Sequence, residues 1–497
     1  MSDDLGQLSA SQLHEKIIQR HLSPAEVLEY FIQKTEIMNP RINAVTEKLY
    51  DRARRTAELL STQLHEQKDF NPDSVFYGLP FSVKEMIAVQ DALSTGGSWH
   101  RRESRSEETA TVVQRLQNQQ AIPFVTTNVP ELGFWFETDN PVYGRTKNPY
   151  DPRKTSGGSS GGEAALIGSG GSIFGLGSDI GGSVRLPASF CGIFGHKPTH
   201  QSLPFTGHFP YRQEDFKNLR GAAYPWTTMG FLSRYAKDLP LIMDALKGPD
   251  GIDTETKKLD FLFAQKTKQN SVKGLQVYIL PEPIIHGTSA ASAEISQTVI
   301  HAAKALEELG ADIIELPKKY FLNAKSLWMA AVKATKPDRK YEDLLVRADK
   351  KIHWTKEVWG QITGQSQYTI PSLVTVVLEN MSEWTPEIEQ KYQLQLQQLR
   401  SEFHHLLGPN SILIAPTYPK VAPAHRQAFL TPFDFIYSGI FTVLQNPATS
   451  VPMGLNKQGL PLGVQIISAP FRDDLNFYVA DVLESIFGGW TPPTLNK

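Results

Sequence analysis

The 497-residue chain has a single cysteine, Cys191. It can form no disulfide within itself and no multi-cysteine zinc site, and such usage suits a reducing compartment. No stretch approaches the roughly 20 apolar residues needed to cross a bilayer. Charge of one sign is also missing: 50 basic residues stand against 52 acidic ones, for a net charge of −2. The signs are mixed along the chain with no polybasic run, so no bulk field draws it to nucleic acid or anionic lipid. The first residues hold Asp3 and Asp4 and no apolar run follows, so no secretory signal is expected. No metal-ligand constellation stands out. These absences lead to the expectation of a cytoplasmic or peripheral membrane protein with no nucleic-acid partner and no metal.

What is present is ordinary for a globular protein, with 40% hydrophobic and 21% charged residues. Length alone allows roughly two to four domains. No repeat or linker divides the chain, so one domain over 1–497 is expected. It comprises a helical segment to about 60, a core over about 75–240 and a remainder over 241–497 completing the same sheet and the substrate channel. Ser23-Pro24-Ala25-Glu26 is a capping box with proline at the first helical position. Val27, Leu28, Phe31, Ile32 and Thr35 keep helical spacing up to Asn39-Pro40, where the helix is expected to stop. A strand and its exit are expected over 75–89, a helix over Thr109–Gln120 and a buried strand over Ile122–Thr127. Leu275–Leu280, Ala290–Leu309 and Ala311–Leu316 read as strand, helix and strand, a parallel right-handed crossover unit. Ser411–Pro416 and Gly463–Ile467 are further buried strands. The alternation predicts an α/β fold.

Eleven glycines fall between Gly157 and Gly182. Apolar runs such as Ala164-Ala165-Leu166-Ile167 argue against low complexity; small residues here let backbones approach a site closely. Two clusters stand out, Gly157-Gly158-Ser159-Ser160-Gly161-Gly162 and Gly177-Ser178-Asp179-Ile180-Gly181-Gly182-Ser183-Val184-Arg185. Acyl transfer needs a nucleophile beside backbone N–H groups aimed at a developing oxyanion, which the second cluster supplies at Ser183. A phosphate cradle or a plain tight turn fits the loop equally at this point. The first cluster matches G-x-S-x-G, yet turn residues Asn148 to Lys154 precede it rather than a buried strand, against an α/β-hydrolase elbow. Neither nucleotide-binding glycine motif occurs in this stretch.

Taken together, the clusters resemble the amidase signature family, with Ser183 twenty-four residues after Ser159. Gly78-Leu79-Pro80-Phe81-Ser82-Val83-Lys84-Glu85 is similar to that family's lysine segment. Thr127-Asn128, Gly144-Arg145-Thr146 and Gly192-Ile193-Phe194-Gly195-His196-Lys197-Pro198-Thr199 also agree, as does Gly459 to Gln465. The resemblance covers nearly the whole chain. It implies a single large domain, a central mixed β-sheet covered by helices on both faces. It further implies a serine amidase with Ser183 as nucleophile, Ser159 as proton relay on a cis peptide bond and Lys84 as base, working without a cofactor. Backbone N–H groups of Ile180, Gly181, Gly182 and Ser183 would form the oxyanion hole. A free lysine titrates at about 10.4, so Lys84 needs burial to serve as a base. Asp179 and Arg185 read as an internal ion pair, Cys191 as a buried structural thiol, and Ser160 as a supporting hydrogen-bond partner. His196 is given no catalytic role.

Within the family the chain resembles fatty acid amide hydrolases, the second mammalian type in particular. The resemblance rests on Phe134-Trp135-Phe136, Tyr368-Thr369-Ile370-Pro371-Ser372, Pro432-Phe433-Asp434-Phe435 and Phe487-Gly488-Gly489-Trp490. It implies lipid amides as substrates, N-acyl ethanolamines or primary fatty amides, along an apolar channel. Phe134 is the first channel candidate, with Ile193, Phe194, Phe433 and Phe435 behind it. The segment Ile352–Ile370, with Trp354, Val358, Trp359 and Ile362, reads either as an amphipathic rim meeting a membrane or as an ordinary packed segment. No N-terminal hydrophobic anchor is found, which speaks against permanent membrane residence. Homodimerisation stays open. So do two alternatives within the family, the glutaminase component of an aminoacyl-tRNA amidotransferase and a short-chain or aryl amidase.

Overall fold

The computed structural model describes residues 5–67, 74–210, 226–334, 341–346, 351–381 and 384–494. Its centre is one mixed sheet of eleven strands among these residues, in the order β1-β3-β2-β4-β6-β5-β10-β11-β9-β7-β8. In chain order these are β1 Val45–Lys48, β2 Pro80–Lys84, β3 Ile122–Thr127, β4 Phe174–Asp179, β5 Phe194–Lys197 and β6 Thr228–Ser233. Then follow β7 Gln276–Ile279, β8 Asp312–Glu315, β9 Ser411–Pro416, β10 Ala448–Leu455 and β11 Pro461–Ser468. β2 runs parallel to both β3 and β4, and β7 parallel to both β8 and β9, while the remaining pairs are antiparallel. The β7–β8 pair is parallel and joined through the helix Ala293–Glu308, which matches the strand, helix and strand read from the sequence.

Helices cover both faces, and β9 shows why its sequence is apolar from Ile412 to Pro416. Ile412 and Ile414 enter the larger buried cluster, with Val299, Ala302 and Leu475. Leu413 and Ala415, pointing the other way, join a second cluster with Leu327, Phe403 and Phe441. A strand alternates its side chains between faces, so continuous hydrophobicity marks burial on both sides.

Two local expectations are corrected. The helix capped by Ser23 runs from Pro24 through Pro40 to Ile42. Pro40 removes only one N–H, and the helix closes on Asn43, which is left-handed and donates its N–H to the Asn39 carbonyl at 2.8 Å. The Asn39 side chain then accepts the N–H groups of Ala44 and Val45. Val75-Phe76-Tyr77 is turn rather than strand. Phe76 and Tyr77 are fully buried, and the Tyr77 hydroxyl donates to the Leu60 carbonyl at 2.6 Å. Burial of aromatic rings without ladder pairing produced the strand-like pattern.

Candidate active site

Sheet topology brings the chemistry together. Lys84 is the last residue of β2, Ser178 and Asp179 end β4, and these parallel neighbours finish at the same edge. In sheets of this kind, ligands bind beyond the carboxyl ends of the strands. Past β4 the chain turns through Ile180-Gly181-Gly182 to Ser183 and enters the helix Arg185–Phe190. Ser159 follows a cis Gly158–Ser159 peptide just before the helix Gly161–Gly168. The structure thus gathers Lys84, Ser159 and Ser183 around one cavity of about 40 Å³.

Lys84 is 1% exposed and donates to Ser159 Oγ at 2.7 Å and to Ser178 Oγ at 3.0 Å. Burial pushes its pKa down to about 7, against the opposing pull of Asp179 and Glu163. Neither carboxyl holds the lysine proton strongly. Burial raises Glu163 to about 8 despite hydrogen bonds from Ser82 and Thr127, so it is largely protonated near neutral pH. Burial would likewise raise Asp179, but Arg185 outweighs it and holds the carboxyl at about 2. That negative charge is matched by the guanidinium 3.0 Å away, both side chains being fully buried.

The Asp179–Arg185 pair shapes the loop, as the sequence indicated. Asp179 also accepts the N–H of Gly182 at 2.7 Å and of Val184 at 3.2 Å. Gly182 is therefore a correction: its N–H belongs to Asp179, and only the N–H groups of Ile180, Gly181 and Ser183 have no such partner among the described residues. Gly182 has φ +109°, and a Cβ there would lie 2.7 Å from that of Ser438. Trp328 Nε1 donates to the Ile180 carbonyl at 3.2 Å, which turns the Gly181 N–H the opposite way across a trans peptide. Ser160 donates its N–H to the Ser183 carbonyl at 3.0 Å, a supporting role.

Of the channel candidates, Phe134 lines the cavity at Ser183 and also a neighbouring cavity of about 360 Å³. Ile193 and Phe194 do not: both are fully buried in the main core, because β5 lies in mid-sheet between β6 and β10. Phe433 lines neither cavity; it packs on the second core cluster under the Lys325 ammonium, 4.8 Å from its ring. Phe435 packs edge-on against Trp328 and backs Gly181, supporting the loop from behind. Cys191 is buried with its thiol pushed well up by desolvation, and His196 is bound between Thr449 and Asp473. Met86, Leu132, Ser178, His208 and Phe209 also stand on the cavity wall, and the sequence did not single them out for it. Ser178 was visible within the glycine-rich cluster; the others carry no local motif.

A model of the amidase family, described as Amidase, matches residues 26–476. The chain belongs to this family. The amidase is 36% identical to human fatty-acid amide hydrolase 2, covering 98% of this chain and 90% of that protein. It is 28% identical to an acylamidase of Rhodococcus erythropolis, over 96% of this chain and 95% of that protein. Among solved structures, 6-aminohexanoate cyclic dimer hydrolase with its substrate superposes with a TM-score of 0.78 at 26% identity, covering 97% of this chain and 98% of that one. This amidase is therefore an amide hydrolase, built on the fold its relatives share.

Proposed function

We propose that the enzyme hydrolyses lipid amides through an acyl-enzyme on Ser183, and the observation that carries this is the buried Lys84 bonded to Ser159 beside Ser183. Neutral Lys84 takes a proton from Ser159 as Ser159 takes that of Ser183, and the Ser183 oxygen attacks the amide carbon. Negative charge gathers on the former carbonyl oxygen, facing the N–H groups of Ile180, Gly181 and Ser183; one such donor is typically worth about 10²–10³ in rate. The C–N bond breaks as the proton returns through Ser159 to the leaving amine. Water then adds to the ester, and Ser183 departs with its proton restored.

The substrate class rests on cavity shape and likeness. A void of about 40 Å³ at Ser183 holds no long acyl chain, whereas ligand sites for larger molecules run to roughly 300–1,000 Å³. The adjoining 360 Å³ cavity begins at Phe134 and is walled in part by Trp135, Tyr368, Ile370 and Phe429, among polar groups including Arg145 and Arg426. An acyl chain running past Phe134 would occupy it. Its outer wall belongs to the helices Trp354–Thr363 and Ile370–Met381, the first of which leaves Val358, Trp359 and Ile362 58%, 67% and 73% exposed. We read this apolar face as the one set against a lipid surface, from which such a substrate would come. The name of the human relative agrees with that class.

The test is kcat/KM for primary amides and N-acyl ethanolamines from short to long acyl chains, with Ser183→Ala as blank. A steep rise with chain length, absent in the blank, is expected. A flat profile or a preference for short polar amides would overturn the lipid assignment.

A further inference from the structure

Lys84 has a second hydroxyl partner besides Ser159, and the chain that starts there ends on a histidine. Ser178 Oγ, which accepts from Lys84, stands 2.7 Å from His208 Nε2. The other ring nitrogen, Nδ1, is bonded to the Phe209 carbonyl oxygen, which can only accept, so Nδ1 carries the hydrogen. Burial and the neighbouring lysine push the His208 pKa down to about 3, leaving the ring neutral and Nε2 an acceptor. The Ser178 hydroxyl hydrogen is therefore directed to His208, and Ser178 offers Lys84 only lone pairs.

This direction matters because a neutral amine has one lone pair. Were Ser178 free to donate, its hydrogen would compete with that of Ser159 for the base. We propose that His208 is a positioning residue for amide hydrolysis, which, by accepting the Ser178 hydrogen, keeps the Lys84 lone pair for Ser159. The inference deepens the function proposed above and rests on Lys84 being its base.

His208 is fixed for this task. Its loop is sewn to the segment that follows Lys84: Phe209 N–H donates to the Met86 carbonyl at 2.8 Å and Ala88 N–H to the Gly207 carbonyl at 2.9 Å. The ring stacks on Phe205, with centroids 4.4 Å apart and planes 22° apart. It is 4% exposed and shares the cavity wall with Lys84, Ser159, Ser178 and Ser183.

The experiment measures the second-order rate of Ser183 labelling by a fluorophosphonate, together with kcat and KM for a short amide. It is run on wild type, His208→Phe, His208→Gln, Ser178→Ala and the His208→Phe/Ser178→Ala double variant. His208→Phe keeps a ring without an acceptor and is expected to lower labelling and kcat about tenfold, the scale of one net hydrogen bond, with KM within about twofold. His208→Gln, whose amide oxygen reaches as far as Nε2, is expected to restore most of the rate. With Ser178 already removed, His208→Phe is expected to change nothing further. If His208→Phe gives no thermal unfolding transition, His208→Asn takes its place, since it reaches only as far as Nδ1. A loss under twofold, an equal loss in His208→Gln, or the full loss repeated in the Ser178→Ala background would overturn the proposal. Labelling reports Ser183 activation whatever the amide. Labelled protein that is inert towards lipid amides would sink the substrate reading alone, and an unlabelled wild-type Ser183 would sink the nucleophile itself.

Discussion

At the scale of single residues, the site turns on the charge of one buried amine. In the proposed mechanism protonated Lys84 cannot accept a proton, so activity would require the neutral form. With the pKa lowered from 10.5 to about 7 by burial, kcat/KM is expected to rise with pH through about 7 and then level off. A pH–rate profile checks this, and an acid limb well above pH 9 would mean that Lys84 is not prepared as a base. Because the three residues would act as one unit, Ser183→Ala, Lys84→Ala and the pair together are expected to lose similar factors in kcat rather than multiply. Lys84, Ser159 and Ser183 were legible in the sequence because glycine-rich loops and a lysine segment at family spacing carry them. His208 and Leu132 were not, since they reach the cavity by tertiary folding of loops with no pattern of their own. Ile193 and Phe194 misled for the opposite reason: an apolar side chain reads alike in a channel and in a core, and only its place in the fold tells them apart.

At the scale of elements, the loop from Asp179 to Arg185 is held by a buried ion pair rather than by packing alone. Arg185 also donates to the Ser438 carbonyl, Gln465 and Thr442, tying the loop to the C-terminal part of the sheet and its covering helix. Arg185→Met would leave Asp179 buried and uncompensated, and is expected to destabilise the protein by about 3–5 kcal/mol in urea unfolding. Gly182→Ala is expected to keep the fold less well and to lose most activity, since φ +109° and the Ser438 contact both oppose a side chain. Elements marked by short buried runs, such as β3 and β9, stand where the sequence placed them. The helix through Pro40 and the turn at Val75 did not follow local rules, because hydrogen bonds accepted by the Asn39 side chain and burial of Phe76 and Tyr77 overrode propensity.

At the scale of the whole molecule, one sheet with strands drawn from residues 45 to 468 carries the site at one edge, and the helix Trp354–Thr363 exposes Val358, Trp359 and Ile362. Among the described residues no helix is long and apolar enough to cross a membrane. Replacing Trp359 and Ile362 together by glutamate is expected to weaken vesicle co-sedimentation about tenfold while leaving kcat on a short soluble amide unchanged. Equal binding by both proteins would overturn the lipid-facing role proposed for these helices. The α/β class followed from the alternation of strands and helices and the mixed sheet from the family resemblance, whereas the exposure of Val358, Trp359 and Ile362 became evident only in the folded chain, where their helix turns that side outward. Everything proposed for the site depends on a covalent intermediate at Ser183. Rapid quenching of the enzyme with an N-acyl ethanolamine, followed by peptide mass analysis, measures it directly. The acyl mass is expected on the peptide segment carrying Ser183, with none in Ser183→Ala. Turnover without that adduct at any quench time, or an acyl group on Ser159 or Ser160 instead, would contradict it.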